Sequence, residues 1–374
     1  MRILIFNWQD IKNPLGGGAE VHLHEIFKRI VAMGNDVTLV VSSFPGGQGE
    51  EIIEGIRVIR KGNRNTFNFM VPKLYKKLIN NEQFDIVIDD INKIPFYTPL
   101  FVRKPLLAIS HHFFGKSIFR EVNFVKGLYV YLAEYLVNFI YKKTPFVVVS
   151  ESTKNEFIER GFSSNNVVIV TNAITKENFP MKISEKNSNP LIIYFGRLKK
   201  YKSIDHLLYA FRNVLEIIPN TELFILGKGD FKSELESLAH KLNIDRQTKF
   251  FGYISEEQKI ELLSKAYCIV NTSMKEGWGI TNIEANACGT PVISADVPGL
   301  RDSVKEGESG LLYEYGNIEQ LTSLILKILQ NNEYRTKLSE GSIEWAKNFS
   351  WDSSAQLMFE VCNKIIKRKQ ENGN

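Results

Sequence analysis

The segment from residue 268 to residue 295 reads Cys-Ile-Val-Asn-Thr-Ser-Met-Lys-Glu-Gly-Trp-Gly-Ile-Thr-Asn-Ile-Glu-Ala-Asn-Ala-Cys-Gly-Thr-Pro-Val-Ile-Ser-Ala. Its β-branched start predicts a short strand, and a loop with two glycines follows. The spacing from Ile280 to Cys288 predicts a helix, which Gly289-Thr290-Pro291 ends before a second strand begins at Val292. The segment is therefore predicted as strand, loop, helix, turn and strand.

Two glutamates frame this loop and its helix. Glu276 precedes the helix, and Glu284 lies about one turn inside it. The backbone amides of Gly279 to Asn282 should point out of the helix N-terminus, where unpaired donors and the helix dipole favour a phosphate. A carboxylate on each side suits the hydroxyl-rich ends of a larger ligand, such as a ribose or a hexose. For two isolated glutamates, solvated surface charges would be the simpler explanation.

The N-terminal part of the chain begins with a strand, a glycine-rich turn, a helix and a strand. The strands are predicted at Arg2 to Trp8 and Val37 to Val41, and Gly16-Gly17-Gly18 precedes the helix. This order predicts a parallel sheet, and the glycines allow a ligand to approach the backbone closely. Val21 stands where a dinucleotide fingerprint needs a third glycine, and Ser42-Ser43 ends the second strand without an acid. The pattern therefore disfavours an NAD-type enzyme.

Polar side chains follow two further predicted strands. Leu106 to Ser110 leads directly into His111 and His112, at the strand end where ligands bind in open α/β sheets. Either histidine, taken singly, could equally be structural. Arg197 and Lys202 follow a strand that begins at Leu191, and their charges suit a diphosphate. Charge alone would also fit a solvated basic loop.

These motifs together resemble glycosyltransferase family 4, whose members are retaining enzymes of the GT-B fold. The resemblance is carried by Glu-x7-Glu from Glu276 to Glu284 and by Gly-Arg-Leu-x3-Lys at 196–202, and it covers nearly the full chain. It implies an α/β protein of two Rossmann-like domains whose parallel sheets face a central cleft. Residues 1–178 would bind the acceptor and residues 190–350 the nucleotide sugar. The last helix, within 351–374, would cross back to the first domain.

The resemblance also implies a role for each candidate residue. Donor-binding residues would be Gly17, Gly18, Arg197, Lys202, Tyr253, Ile254, Gly279, Ile280, Thr281 and Glu284. Glu276 and His111 would be catalytic by contacting the transferred sugar, with His112 as the alternative histidine. Backbone around Tyr253 would read the nucleotide base. Ala173 and Lys228 depart from the family pattern, which usually has glycine and an acidic residue at these places.

The implied reaction moves a hexosyl group from a UDP- or GDP-sugar to a hydroxyl of a glycan or lipid-linked acceptor. Leaving phosphate and incoming hydroxyl would meet on one face of the sugar, so no nucleophile is assigned. No cofactor or metal is expected, and the chain contains no Asp-x-Asp motif. The alternatives are a nucleotide-sugar epimerase of the same fold, a phosphorylase that needs pyridoxal phosphate, and a non-catalytic partner of another glycosyltransferase.

Composition and charge bound the remaining possibilities. A chain of 374 residues fits two domains. The first 180 residues hold 22 Lys and Arg against 17 Asp and Glu, whereas the rest is balanced at 25 of each. The excess of basic residues in this part suggests contact with an anionic partner or membrane, and a merely soluble surface would explain it equally well. Nucleic acid is not an expected partner. With three cysteines, no signal peptide and no spanning segment, the chain is expected in the cytoplasm, in part at the inner face of the membrane.

The stretch from Phe113 to Tyr141 is rich in aromatic and apolar residues and has a basic edge. Because apolar stripes on helices usually face a core, most of these side chains are expected to be buried. The alternative is that the basic edge rests on a membrane and meets a lipid-linked acceptor.

Overall fold

The computed structural model describes residues 1–92, 94–120 and 122–371, and the side chains of Lys116 and Arg120 lie outside this description. Two compact units are present. The first consists of residues 1–172 together with the chain from 351 onwards, and the second of residues 173–350. The last three residues of the predicted C-terminal segment are outside the described part of the chain.

Strands and helices alternate along both units. The strands are β1 (Arg2–Phe6), β2 (Asp36–Val41), β3 (Glu50–Ile53), β4 (Ile56–Arg60), β5 (Ile86–Ile91), β6 (Leu106–Ser110), β7 (Phe146–Val148), β8 (Val167–Ile169), β9 (Leu191–Phe195), β10 (Glu222–Leu226), β11 (Thr248–Gly252), β12 (Cys268–Asn271), β13 (Val292–Ala295) and β14 (Gly310–Tyr313). The helices are α1 (Gly18–Ala32), α2 (Phe67–Asn81), α3 (Phe124–Ile140), α4 (Glu151–Glu159), α5 (Ile204–Ile217), α6 (Lys232–Lys241), α7 (Glu256–Lys265), α8 (Ile280–Ala287), α9 (Ile318–Gln330), α10 (Asn332–Ala346) and α11 (Trp351–Glu371).

The first unit is built on an eight-stranded sheet in the order β3-β4-β2-β1-β5-β6-β7-β8. All neighbouring strands run parallel except β3 and β4, which form an antiparallel hairpin at the edge. The central strands are mostly apolar because helices cover both faces of such a sheet. Ile3, Leu4, Ile5 and Phe6 of β1 are fully buried.

The edge hairpin was not predicted, although its turn carries a recognisable signal. Glu54 and Gly55 both have positive φ angles, 43° and 84°. Two consecutive residues with positive φ favour a tight hairpin turn, and glycine adopts this geometry without steric cost. The turn also brings the Glu54 carboxylate to His24 of α1, at 2.6 Å.

The second unit has a six-stranded, fully parallel sheet in the order β11-β10-β9-β12-β13-β14. One of its apolar clusters includes Leu207 and Phe211 of α5 and Ile325 of α9, and another includes Leu263 of α7 and Ala285 of α8. Burial of these apolar side chains holds the helices on the sheet. The loops after β9 and β12 therefore emerge at the carboxyl edge, where ligands bind in sheets of this kind. The predicted α/β fold with two mainly parallel sheets is confirmed.

Helix α3 contradicts the expectation that its apolar side chains are buried. Only Gly127, Ala133, Glu134 and Val137 of this helix are buried. The opposite side, here called the outer face of α3, is exposed to solvent and consists of Phe124, Val125, Leu128, Tyr129, Leu132, Tyr135, Leu136 and Phe139. In the described part of the chain, every helix is too short or too polar to pass through a bilayer.

Candidate functional site

The loop between β12 and α8 ends at a helix N-terminus that has open backbone donors. Gly279 precedes α8 and supplies no side-chain cap. Within the described residues, no acceptor is bonded to the amides of Gly279, Ile280 or Thr281. The amide of Asn282, which the sequence had included in this set, instead donates to the Gly279 carbonyl at 2.9 Å. Three amides, rather than four, are thus available to an anion.

Close packing explains why residue 279 is glycine. A Cβ atom added there would lie 2.3 Å from Ser303 Oγ and 2.8 Å from Asn282 Nδ2. Asn282 is fully buried and donates to Ser303 Oγ at 2.8 Å, while Asn271 Nδ2 reaches its Oδ1 at 3.3 Å. Buried amides need such partners, and this network fixes the first turn of α8 against the sheet.

Glu276 and Lys202 meet in the second unit, although 74 residues separate them in the chain. Lys202 Nζ forms an ion pair with Glu276 Oε1, and the two side chains are only 14% and 17% exposed. Burial opposes the charge of Lys202, but the Glu276 carboxylate together with the nearby Tyr201 and Tyr194 outweighs burial, so the pKa of Lys202 is raised. Lys202 is therefore a permanent cation close to the loop that leads into α8.

Arg197 lies on an exposed loop that is held by contacts between backbones. A Cβ at Gly227 would be 1.9 Å from the Gly196 carbonyl oxygen, and one at Gly229 would be 1.9 Å from that of Leu198. Only glycine permits this approach of the β10–α6 loop to the β9–α5 loop. The Arg197 side chain itself is exposed to solvent. This loop therefore presents an exposed, charged side chain on a closely packed backbone.

Glu284 has a partner that sequence reasoning did not find. Lys259 of α7 is 3% exposed, and its Nζ lies 2.9 Å from Glu284 Oε1 and 2.7 Å from Glu256 Oε2. The Lys259 ammonium also sits 5.2 Å from the ring centre of Phe195. Burial raises the pKa of Glu284, and Lys259 opposes this rise. Burial lowers the pKa of Lys259, but Glu284 and Glu256 together outweigh burial, so this pKa is raised. The only available signal was a lysine at a core-facing position of the helix.

Tyr253 and Ile254 occupy the turn between β11 and α7. Tyr253 is 77% exposed, with Lys228 Nζ 5.3 Å from its ring centre, and Ile254 packs against the core. Within the described residues, no hydrogen bond engages the backbone groups of either residue. This turn leaves backbone donors and acceptors open, as the predicted base-reading role requires.

The glycine loop of the first unit leads into α1. Its Gly17 amide donates to the Glu20 carboxylate at 2.7 Å, so an acidic side chain already occupies part of this helix N-terminus. A Cβ at Gly18 would meet no atom within 4 Å, so the backbone there is open to a ligand. The fully buried pair of Arg60 and Asp10, with contacts of 2.7 and 2.9 Å, fixes the start of the loop.

The two candidate histidines have different surroundings. His111 is 6% exposed, its Nε2 lies 3.1 Å from Asp90 Oδ1, and its ring makes an edge contact with His22 at 5.2 Å between centres. No described residue is hydrogen-bonded to Nδ1 of His111. His112 is half-buried and packs on Phe114. Asp90 can orient the His111 ring, since a carboxylate partner selects one tautomer of the imidazole.

The neighbouring acid of β5 has separate partners. Asp89 accepts hydrogen bonds from Thr98 Oγ1 at 2.6 Å and from the Tyr141 hydroxyl at 2.5 Å. Burial raises the pKa of Asp89 to about 6. Asp89 and Asp90 therefore serve different networks. Within the described residues, no three His, Cys, Asp or Glu side chains are grouped so that they could hold a metal ion.

Family models match both halves of the chain. The one described as "Glycosyltransferase Family 4" matches residues 16–178, and the one described as "Glycosyl transferases group 1" matches residues 175–345. The chain belongs to glycosyltransferase family 4. It is a glycosyltransferase that uses a nucleotide sugar, as the motifs predicted.

Individual relatives resemble this glycosyltransferase over nearly its full length. An uncharacterised glycosyltransferase of Methanocaldococcus jannaschii is 25% identical, over 96% of this chain and 97% of that protein. The structure of sucrose-phosphate synthase from Thermosynechococcus elongatus superposes with a TM-score of 0.80 at 19% identity, covering 98% and 99% of the two chains. Anabaena HepE in complex with UDP-glucose gives a TM-score of 0.75 at 16% identity, covering 97% and 100%. These structures establish the GT-B fold.

His22 should make the stability of this glycosyltransferase depend on pH. Burial, together with the neighbouring His111, lowers the pKa of His22 from 6.5 to about 3. The unfolded chain therefore takes up a proton at this residue below about pH 6.5, whereas the folded chain does not. Lowering the pH to about 5 should cost roughly 2 kcal/mol of unfolding free energy through His22 alone.

Urea unfolding of the wild type and His22→Gln, each at about pH 7.5 and about pH 5, measures this contribution. The variant should lose less stability on acidification than the wild type. His240→Gln is the matched control because His240 is 85% exposed, and it should behave like the wild type. An equal acid-induced loss in His22→Gln and the wild type would contradict the prediction.

Proposed function

We propose that this glycosyltransferase moves a hexosyl group from a UDP- or GDP-sugar to a hydroxyl of a glycan or a lipid-linked acceptor, with retention of anomeric configuration. The observation that carries the proposal is the pairing of Lys202 with Glu276 beside the open N-terminus of α8. One end of this arrangement favours a diphosphate and the other a polyhydroxylated sugar.

The donor would be held by the second unit. The amides of Gly279, Ile280 and Thr281, the Lys202 ammonium and the Arg197 side chain would surround the diphosphate. Charge grows on the leaving phosphate as the glycosidic bond breaks, so fixed donors and cations stabilise the transition state more than the bound substrate. The amides present partial positive charges and the two side chains full ones, so together they would stabilise the leaving phosphate without a metal ion.

Two carboxylates would hold the hydroxyl groups of the donor. Glu284 would accept hydrogen bonds from the ribose, and Lys259 would keep it ionised and in place. Glu276 would accept from hydroxyls of the transferred sugar once Lys202 turns towards phosphate. The turn at Tyr253 and Ile254 would contact the base through its backbone.

The first unit would bind the acceptor and supply His111 to the transferred sugar. Asp90 would hold the imidazole so that Nδ1 is available to a sugar hydroxyl. Gly18 would let the ligand approach the backbone. The proposed location is the cytoplasm, with an acceptor that is reached at the inner face of the membrane.

Thermal unfolding with UDP, GDP, ADP and dTDP tests the donor half of the proposal. A nucleotide at roughly 100 times its dissociation constant should stabilise the protein by about 2.7 kcal/mol, which is readily seen as a rise in Tm. One of the four nucleotides should raise the Tm of the wild type but not the Tm of Glu284→Gln. Glu261→Gln is the matched control because Glu261 lies on α7, 62% exposed and paired with Lys265.

Mass spectrometry of the corresponding nucleotide sugar then tests the reaction. We expect release of nucleoside diphosphate and a hexosylated product when an acceptor is present. Because HepE was crystallised with UDP-glucose, that sugar is the first donor to try. Conversion of the donor into its epimer without an acceptor would contradict transfer and identify an isomerase. Absence of turnover despite a nucleotide shift would favour a non-catalytic partner.

A further inference from the structure

The outer face of α3 presents a continuous apolar surface to solvent. Successive members are spaced three or four residues apart, as in Phe124, Leu128 and Leu132, so they share one side of the helix. Three of them, Phe124, Val125 and Phe139, are 70%, 76% and 63% exposed. Soluble proteins rarely expose so many neighbouring large apolar side chains without a partner for them.

No charge interrupts this face. Glu134, the one acid of α3, is buried on the opposite side, and its carboxylate accepts the amides of Phe114 at 2.7 Å and Gly115 at 2.9 Å. Lys126, the one base of α3, lies outside the apolar arc. Hydrogen bonds of Glu134 thus hold one side of the helix against the protein, while its apolar side remains exposed to solvent.

Exposed basic residues lie on elements that flank α3. Asn68 of α2 contacts the Tyr129 hydroxyl at 3.5 Å, and the exposed side of α2 carries Phe69 with three lysines, Lys73, Lys76 and Lys77. Helix α2 contains no acid, and none of these lysines pairs with a carboxylate of the described chain. Just beyond the C-terminal end of α3, a groove of about 720 Å³ is lined by Arg103, Lys104, Lys143, Lys364 and Arg368, among others.

We infer that the outer face of α3, with its basic surroundings, is a docking surface for an anionic lipid bilayer. The helix would lie in the interface, with its apolar side chains among the acyl chains and the flanking cations at the lipid phosphates. Charge decides between a bilayer and a second copy of the chain. Two copies joined through this face would bring two sets of unpaired cations together, whereas lipid phosphates neutralise them.

Helix α3 is hydrogen-bonded to the loop that follows His111 and His112. Because Glu134 holds the backbone of Phe114 and Gly115, docking of α3 would place this loop close to the lipid headgroups. If the proposed function is correct, a hydroxyl acceptor carried by a lipid would reach the first unit without leaving the membrane. The docking surface itself does not depend on the transferase chemistry.

Vesicle flotation with the purified full chain tests the inference. The wild type should float with phosphatidylcholine vesicles that contain about 30% phosphatidylglycerol, and less with phosphatidylcholine alone or in about 0.5 M NaCl. Leu132→Glu/Phe139→Glu should lower the vesicle partition coefficient about tenfold or more. Lys73→Gln/Lys76→Gln/Lys77→Gln should lose the preference for anionic vesicles.

The matched control is Tyr209→Glu/Ile217→Glu, which puts the same two charges on exposed apolar positions of α5, 43% and 55% exposed. It should float like the wild type. Nucleotide-induced Tm shifts that are retained in Leu132→Glu/Phe139→Glu show that the variant is folded, and they separate this test from that of the transferase. Equal flotation of this variant and the wild type would overturn the inference. The inference would also be overturned if light scattering showed a dimeric wild type that does not bind vesicles and a monomeric Leu132→Glu/Phe139→Glu variant.

Discussion

Lys202→Met is expected to lower kcat by about two to three orders of magnitude, as does the loss of one positioned donor at other sites where negative charge develops. Lys202 is a mostly buried, permanent cation, and no other lysine of its loop is as enclosed. As the bond to the sugar breaks, the ammonium would leave Glu276 for the phosphate, and a methionine cannot make this contact. Ground-state affinity for the donor should fall less than kcat, because the charge is largest in the transition state.

The rate of nucleoside-diphosphate release measures this effect, since it reports both transfer and hydrolysis of the donor. Lys199→Met is the matched control, because Lys199 lies in the same loop but pairs with Asp230 at the surface. It should keep nearly the wild-type rate. If Lys202→Met and Lys199→Met turned over equally well, the assignment of Lys202 to the leaving diphosphate would be wrong.

The second large effect concerns stability. Lys259→Met should lower the free energy of unfolding by about 3 kcal/mol, since it leaves the mostly buried Glu284 without its counter-charge. Methionine keeps most of the volume of lysine, so lost packing contributes little. Glu256, the other partner of Lys259, is 77% exposed and stays solvated. The pKa of Glu284 should rise further, and nucleotide binding should weaken as this carboxylate becomes protonated.

A double variant separates the ion pair from its function. Lys259→Met/Glu284→Gln should recover stability to within about 1 kcal/mol of the wild type, because no buried charge is left unpaired. It should still fail to bind nucleotide, because the proposed ribose acceptor is gone. Lys265→Met removes the exposed pair with Glu261 on the same helix and should cost less than about 0.5 kcal/mol. Equal urea midpoints for Lys259→Met and Lys265→Met would refute the buried-pair argument.

Most of the sheet framework was predictable because buried parallel strands leave apolar runs in the sequence. The runs at Ile56, Leu106 and Phe146 coincide with β4, β6 and β7. The hairpin strand β3 was missed because it is an exposed edge with two glutamates, Glu50 and Glu51, and little apolar content. The local sequence that could have indicated a hairpin is the turn at Glu54 and Gly55.

The environment of the candidate site could be predicted only in part. The open N-terminus of α8 follows from local sequence, since a glycine before a helix has no side chain that could accept from the first amides. The buried polar network around Asn282 was not foreseen, because it joins β12, α8 and the loop at Ser303. The same holds for Asp90 and His22, which meet His111 from β5 and α1.

The sequence by itself determined the family, the alternation of strands and helices, and which loops carry charge and glycine. These properties are local, since a strand, a helix cap or a glycine turn is specified by residues a few positions apart. Tertiary structure alone decided that Lys202 meets Glu276, that Lys259 meets Glu284, and that α3 turns its apolar side to solvent. Each of these depends on which side of an element faces a neighbour that is distant in the chain. Hydrophobic periodicity reveals that a helix has an apolar side, but only packing determines what, if anything, covers it.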